Sequence, residues 1–437
     1  MRTPVPANRD DRRHPSPPDG AAARVLYLSY DGMTDPLGRS QVLPYLTGLA
    51  RRGHAITLVS LDKPELFARH RETVAQICRD AGITWHSLPY RHRLSLLSAL
   101  LNVATLLRFA TRLQRIHGYS FVHARSDLAG LAALALQRRQ RVPFVYDMRA
   151  FWPDERAEGG AWDQSKRLYR VIFNYFKARQ RDLLNAADEL VVLSQAGRDA
   201  VLAMSTYHNT APITVIPCCA DFEAFTLPRE AERDRHRRDL GLAAEDRLMI
   251  HLGSIGCNCL LDEMLDFFAV YCQQHVGTRL LFLTPDDDGT IERSARARGV
   301  SNHVDVHSAT REDVPGWIGA ADIGLFFVRP VFSKKAASPT KLGEMLAVGL
   351  PVVTNRGIGD VAEIVTAVGA GAVVDRFDPT AYRSAIDRLE SQHIDPQRIR
   401  ATSLPWFDVQ IGIDRYDAIY RRLAAIGGPS RDWQVGG

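Results

Sequence analysis

Cysteine is scarce in this chain: six residues among 437, at Cys78, Cys218, Cys219, Cys257, Cys259 and Cys272. Their scatter offers no disulfide framework, so a reducing, cytoplasmic setting is expected. Cys257-Asn258-Cys259 lacks a second Cys or His pair at zinc-site spacing, and no metal is expected. Long apolar runs are missing as well. The longest, Leu94 to Leu107, is too short to span a bilayer and is interrupted by Ser95, Ser98, Asn102 and Thr105. Residues 1–23 hold Pro, Arg and Asp but almost no large apolar group. That excludes the apolar core of a secretion signal and predicts a disordered tail. No P-loop, Gly-x-Gly-x-x-Gly, His-Glu-x-x-His or Ser-His-Asp arrangement is found, so a tightly held dinucleotide and metalloprotease chemistry are not implied. Basic residues do not interleave with aromatics, and nucleic acid is not an expected partner.

What is present is ordinary for a soluble globular protein: 46% hydrophobic residues, 24% charged, and a net charge of +5. The length calls for two domains. The mild positive charge suits anionic substrates such as nucleotide diphosphates, or anionic lipid heads, without demanding either. Arg91, Arg93, Arg108, Arg112 and Arg115 flank the Leu94–Leu107 run. It reads either as a helix packed on a sheet or as one seated on the inner membrane surface.

Short apolar runs alternate with longer amphipathic ones, the signature of parallel α/β units. Strands are expected at residues 24–29, 55–61, 121–123, 143–146, 189–193 and 214–216, with a first domain over residues 24–225. A charge-rich connection follows Asp221. The second domain, residues 226–407, repeats the pattern with strands at 248–253, 279–284, 304–306, 323–327, 351–354 and 371–374. A final helix falls at about 408–425.

One segment is more informative than the others: Ser338-Pro339-Thr340-Lys341-Leu342-Gly343-Glu344-Met345-Leu346-Ala347-Val348-Gly349-Leu350-Pro351. Ser338 reads as an N-cap and Pro339 as the first helical residue, while Gly349 and Pro351 end the helix. Leu342, Met345 and Leu346 make one buried face. The N–H groups of Thr340 and Lys341 would attract phosphate, with Glu344 one turn on, near sugar hydroxyls. A capped surface helix with a Lys341–Glu344 ion pair is the plainer alternative.

This segment resembles the donor-binding helix of family-4 glycosyltransferases of the two-Rossmann-domain GT-B type. There, two glutamates seven residues apart precede a Gly-x-Pro step into a strand. Glu344 and Gly349-Leu350-Pro351-Val352-Val353 match, whereas the first glutamate's position is Ala336. The resemblance extends from Arg24 to Arg422. It implies two Rossmann-like domains facing across a cleft, donor on the second and acceptor on the first, with the last helix crossing back. It also implies a nucleotide-diphosphate sugar donor, retention, and no metal or other cofactor. By the same resemblance Glu344 binds the ribose. The Arg/Lys pair that often follows the second domain's first strand is missing, since Gly253-Ser254-Ile255-Gly256-Cys257-Asn258-Cys259 stands there. Cations are expected instead from Arg329, Lys334, Lys335 and Lys341, with Gly253 and Gly256 letting backbone approach phosphate. His307 ends a strand where the base often lodges.

On the first domain, Asp147 and Arg149, in an acidic-x-Arg pattern followed by Trp152-Pro153, are the catalytic candidates. They would orient the acceptor or steady the transferred sugar; alternatively they brace a loop. Arg125, Ser126 and Ser194 (in Val-Leu-Ser-x-x-x-Arg) are placed on the acceptor side, and Gly38 near the diphosphate. The expectation is a cytoplasmic transferase, with peripheral contact to the inner membrane in view. It would act on a glycan or lipid-linked acceptor in surface polysaccharide or glycoconjugate synthesis. A nucleotide-sugar 2-epimerase and an inactive nucleotide-sugar-binding protein are the alternatives.

Overall fold

The computed structural model describes residues 22–91, 95–284 and 289–426. The expected tail therefore lies outside the described residues apart from Ala22 and Ala23. Two wholly parallel sheets organise the rest. The first contains β1 (Arg24–Ser29), β2 (Ala55–Asp62), β3 (Thr84–Pro89), β4 (Phe121–Arg125), β5 (Phe144–Asp147), β6 (Glu189–Val192) and β7 (Ile213–Val215), in the order β3-β2-β1-β4-β5-β6-β7. The second contains β8 (Leu248–Leu252), β9 (Arg279–Leu283), β10 (Val304–His307), β11 (Ile323–Leu325), β12 (Val352–Asn355) and β13 (Gly371–Val374), in the order β10-β9-β8-β11-β12-β13. The central strands are apolar nearly throughout because helices cover both faces.

Each sheet reverses its strand order once, between β1 and β4 and between β8 and β11. Open α/β sheets bind ligands in the crevice outside such switch points. The loops after β1, β4 and β8 are therefore the places to look. The last helix, Val409–Ile426, returns to the first unit. Its Ile413, Tyr416, Ile419, Tyr420 and Leu423 join the core built on β1, β2 and helix Leu43–Arg51.

Helix Thr340–Ala347 starts one residue later than its sequence suggests. Pro339 occupies the cap position, and no side chain caps the helix. Ser338, expected as the N-cap, accepts a hydrogen bond from Cys218 N–H at 3.1 Å across the domain boundary. Pro339 sits with ψ 120°, which turns the chain away from Ser338 before the helix begins. Gly349 ends the turn at φ +79°, tight against the Pro396 backbone.

Further contacts join the units. Ser194 Oγ donates to Lys335 O at 2.5 Å, and the Asp360 carboxylate accepts from Gln195 and Ala196 N–H at 2.6 and 2.9 Å. Lys334 pairs with Glu155, and Phe332 stacks on Phe151 with ring centroids 4.7 Å apart.

Candidate active site

The first unit's side of the cleft is built on Asp147, the last residue of β5 and wholly buried. It accepts from Arg149 Nη1 at 3.1 Å and from Tyr416 Oη at 3.1 Å, with His123 Nε2 at 3.5 Å and Arg125 Nη1 at 3.7 Å. Tyr420 Oη lies 2.9 Å from the other His123 nitrogen. Burial alone would raise the Asp147 pKa, but Arg149, His123 and Arg125 together hold it far below the usual carboxylate range. Burial lowers that of His123, leaving a neutral ring. Asp147 is thus one anion set between two guanidinium groups.

Arg149 reaches further out. It lines a cavity of about 420 Å³ with Tyr30, Asp31, Ser126, Asp127 and Trp152. Ser126 has φ +77° and ψ 166°, a conformation that only glycine adopts readily. It is held there by its N–H bond to Asp147 O. The next residue, Asp127, accepts from Gln180 at 2.8 Å, and burial pushes its pKa up to about 7.

On the second unit, β8 delivers His251 and then Gly253, at φ +94°. Lys341, in the first turn of Thr340–Ala347, sends its side chain to this point. Its Nζ is 3.4 Å from His251 Nε2 and 5.8 Å from the Phe326 ring centre. A Cβ on Gly253 would come within 3.8 Å of Nζ. Desolvation brings the Lys341 pKa down to about 8, and the same burial, with Lys341 beside it, keeps His251 neutral. Glu344, also buried, pairs with Arg311 at 2.5 Å, and the Arg311 guanidinium lies over the Phe225 ring. Burial raises the Glu344 pKa and Arg311 opposes it.

Residues 39–219 match the model of the glycosyl transferase 4-like domain, and residues 232–403 that of the glycosyl transferases group 1. The chain belongs to the group 1 glycosyltransferases. Its facing Rossmann-like units are the GT-B fold of that family. Solved structures share that fold. The sucrose-phosphate synthase of Thermosynechococcus elongatus superposes with a TM-score of 0.70 at 16% identity, over 92% of this chain and 100% of its own. Anabaena Alr3699/HepE, in complex with UDP-glucose, gives 0.67 at 15%, over 91% and 99%. WaaG, a glycosyltransferase involved in lipopolysaccharide biosynthesis, gives 0.65 at 16%, over 91% and 99%. No curated protein sequence matches the chain.

The structure places the residues singled out from the sequence in different settings. Asp147 is too enclosed to touch a substrate; it fixes Arg149 and Arg125 instead. Ser194 caps helix Gln195–Leu202 through Gly197 N–H and clasps Lys335. Gly38 has the Gly32–Met33 backbone packed where a side chain would be, so close helix–loop contact accounts for it. His307 packs edge-on to Trp317. Gly256 faces open space with no positive φ, so neither turn nor packing requires glycine there. Arg329 and Lys335 are exposed, and Lys335 lies over Phe332. Arg125 is buried between Asp31 and Asp147. Glu344, Lys341, Thr340 and Gly253 come together on one edge.

Ala336, at the position of the missing glutamate, is fully buried in the first unit's core against Gly197. A carboxylate there would be buried among apolar groups. Sequence reasoning missed Arg311, His251, Tyr416 and Asp127. None has a local signal, because each matters through a partner distant in the chain.

Proposed function

We propose that the enzyme transfers a sugar from a nucleotide-diphosphate sugar, with retention, to a glycan or lipid-linked acceptor in surface polysaccharide or glycoconjugate synthesis. The observation that carries this reading is Lys341. It is a cation held in a poorly solvated niche beside a neutral imidazole, at a helix N-terminus that no side chain caps. Such a niche is unfavourable for a free ammonium and favourable once an anion enters. The UDP-glucose complex of the Anabaena neighbour supports a donor of this class.

Breaking the anomeric C–O bond leaves charge on the diphosphate, and stabilising that charge lowers the barrier most. In this scheme Lys341 and the N–H groups of the Thr340 turn receive it, standing in for the Arg/Lys pair absent after β8. Glu344, held by Arg311, takes the ribose hydroxyls. Arg149, fixed by Asp147, faces the acceptor cavity and steadies the transferred sugar. The acceptor hydroxyl attacks from the face the diphosphate leaves, and its proton passes to the departing phosphate oxygen. No metal or other cofactor is needed.

Thermal-shift titration with UDP, GDP, ADP and CMP, then with their sugars, tests the reading. One nucleoside diphosphate should raise the unfolding midpoint, and Lys341→Met should abolish that rise. Binding by none of them, or an epimer formed from donor alone, would contradict it.

A further inference from the structure

We propose that the outer face formed by helices Ser95–His117 and Arg167–Ala186 rests on an anionic lipid bilayer, at the mouth of the acceptor cavity. Both helices pack on helix Asp127–Gln140 with their inner sides. Leu106, Ala110 and Leu113 of the first are buried against the sheet. Their outer sides carry apolar groups that no part of the described chain covers. Leu97, Leu100 and Leu101, with Leu168, Val171 and Tyr175, are each between 43% and 67% exposed. Single exposed leucines are unremarkable; two stripes on neighbouring helices mark an interaction surface.

The position of these stripes matters. Beneath them lies a small cluster around Leu128, Trp162 and Phe176, to which Val103, Ile172, Tyr30 and Trp152 contribute. Tyr30, Leu128 and Trp152 also line the acceptor cavity. Asn102 ties the first helix to the same wall, donating to Tyr30 Oη at 3.2 Å and to Arg91 O at 2.9 Å. The apolar face and the cavity therefore share one wall.

Charge selects the occupant. Residues 81–124 contain no Asp or Glu and five Arg, and residues 167–186 contain five Lys or Arg against Asp182 alone. Along the outer stripe of Ser95–His117, Leu97, Leu101 and Ala104 give way to Arg108, Arg112 and Arg115. Apolar groups at the level of lipid headgroups, with arginines beside phosphates, are the arrangement of a helix lying in a membrane interface. No helix among the described residues is long and apolar enough to cross a membrane. Delivery of a lipid-borne acceptor from this surface presupposes the transfer reaction proposed above; adsorption to lipid does not.

Flotation of the full chain with vesicles tests the surface by itself. Vesicles of phosphatidylcholine with about a third phosphatidylglycerol should carry the protein at low salt, less at high salt, and pure phosphatidylcholine should not. The double variant Leu101→Glu, Leu168→Glu changes exposed positions only. It should partition about tenfold more weakly while folding, judged by circular dichroism, and nucleotide binding stay as in the parent. Failure of the parent chain to float with anionic vesicles would overturn the proposal, as would equal flotation of the variant. So would a dimer in sedimentation velocity that the variant dissolves, because a second copy would then cover the face. Lipid binding without any sugar transfer would sink the transferase reading and leave the surface standing.

Discussion

The Lys341 ammonium lies 3.4 Å from the Nε2 atom of a neutral His251, in a niche where its pKa drops to about 8. Free Lys341 therefore begins to lose its proton just above neutral pH, while a bound diphosphate would keep it charged. Nucleotide diphosphate affinity should fall about tenfold between pH 7 and pH 9, as one linked proton requires. In Lys341→Met, calorimetric titration should show weaker binding and a flat profile over that range. A parent profile without slope contradicts this assignment.

The same shift makes a statement about stability. The folded-state pKa is lowered, so between about 8 and the unfolded value near 10.5 the unfolded chain holds a proton the folded one lacks. Stability contributed by this group rises with pH through that window, and at neutral pH the buried ammonium is a cost. Lys341→Met should keep or raise the thermal midpoint at pH 7. A marked fall would mean that Lys341 supports the fold.

Glu344 is held by Arg311 instead of by Lys341, its neighbour one turn back. Truncation to alanine would strand Arg311, so Glu344→Gln is the cleaner change. We expect roughly tenfold weaker nucleotide binding and a stability change below about 1 kcal/mol, since the Arg311 end of the pair is partly solvated. Titration and thermal unfolding on one preparation measure both. Unchanged affinity would remove Glu344 from the donor site.

Asp147 and Arg149 should separate cleanly. Asp147→Asn leaves Arg149 and Arg125 enclosed without their anion, a loss on the order of 3–5 kcal/mol. The depressed pKa of Asp147 means that this stability is complete above the ordinary carboxylate range near pH 4 and disappears as pH falls below it. Arg149→Ala leaves Asp147 with Arg125 and Tyr416, so it should cost less stability than Asp147→Asn and bind nucleotide as the parent does, with turnover reduced about a hundredfold. A defect confined to donor affinity would move Arg149 off the acceptor side.

Ser126→Gly should relieve a backbone strain of about 1–3 kcal/mol, offset in part by the glycine's greater freedom when unfolded. The expected outcome is a net gain near 1 kcal/mol by denaturant unfolding. Destabilisation would show that the serine side chain, and not its φ, is what the site needs.

The fold was legible because buried parallel strands announce themselves. Residues 24–29 and 371–374 are strands with the expected bounds. Strand β3 was not legible. Thr84-Trp85-His86-Ser87-Leu88-Pro89 pairs only with β2 at the sheet edge, half-exposed on both faces, and so lacks an apolar run. At the site, the helix with Lys341 and Glu344 was readable from its punctuation and its resemblance. Their partners were not, since Arg311 is 33 residues and His251 is 90 residues away in sequence. In sequence, Tyr416 and Tyr420 share the helical spacing of Ile413, Ile419 and Leu423, which marks a core-facing stripe and nothing more. Their hydroxyl groups reach Asp147 and His123 once the last helix crosses back.

A crystal structure with the nucleoside diphosphate that binds most tightly tests the central claim most directly. The account predicts β-phosphate oxygens within hydrogen-bonding distance of Lys341 Nζ and of the Thr340 and Lys341 N–H groups, with the ribose at Glu344. Density for the diphosphate on the first unit alone, or anywhere that leaves Lys341 beside His251 without an anion, would contradict it.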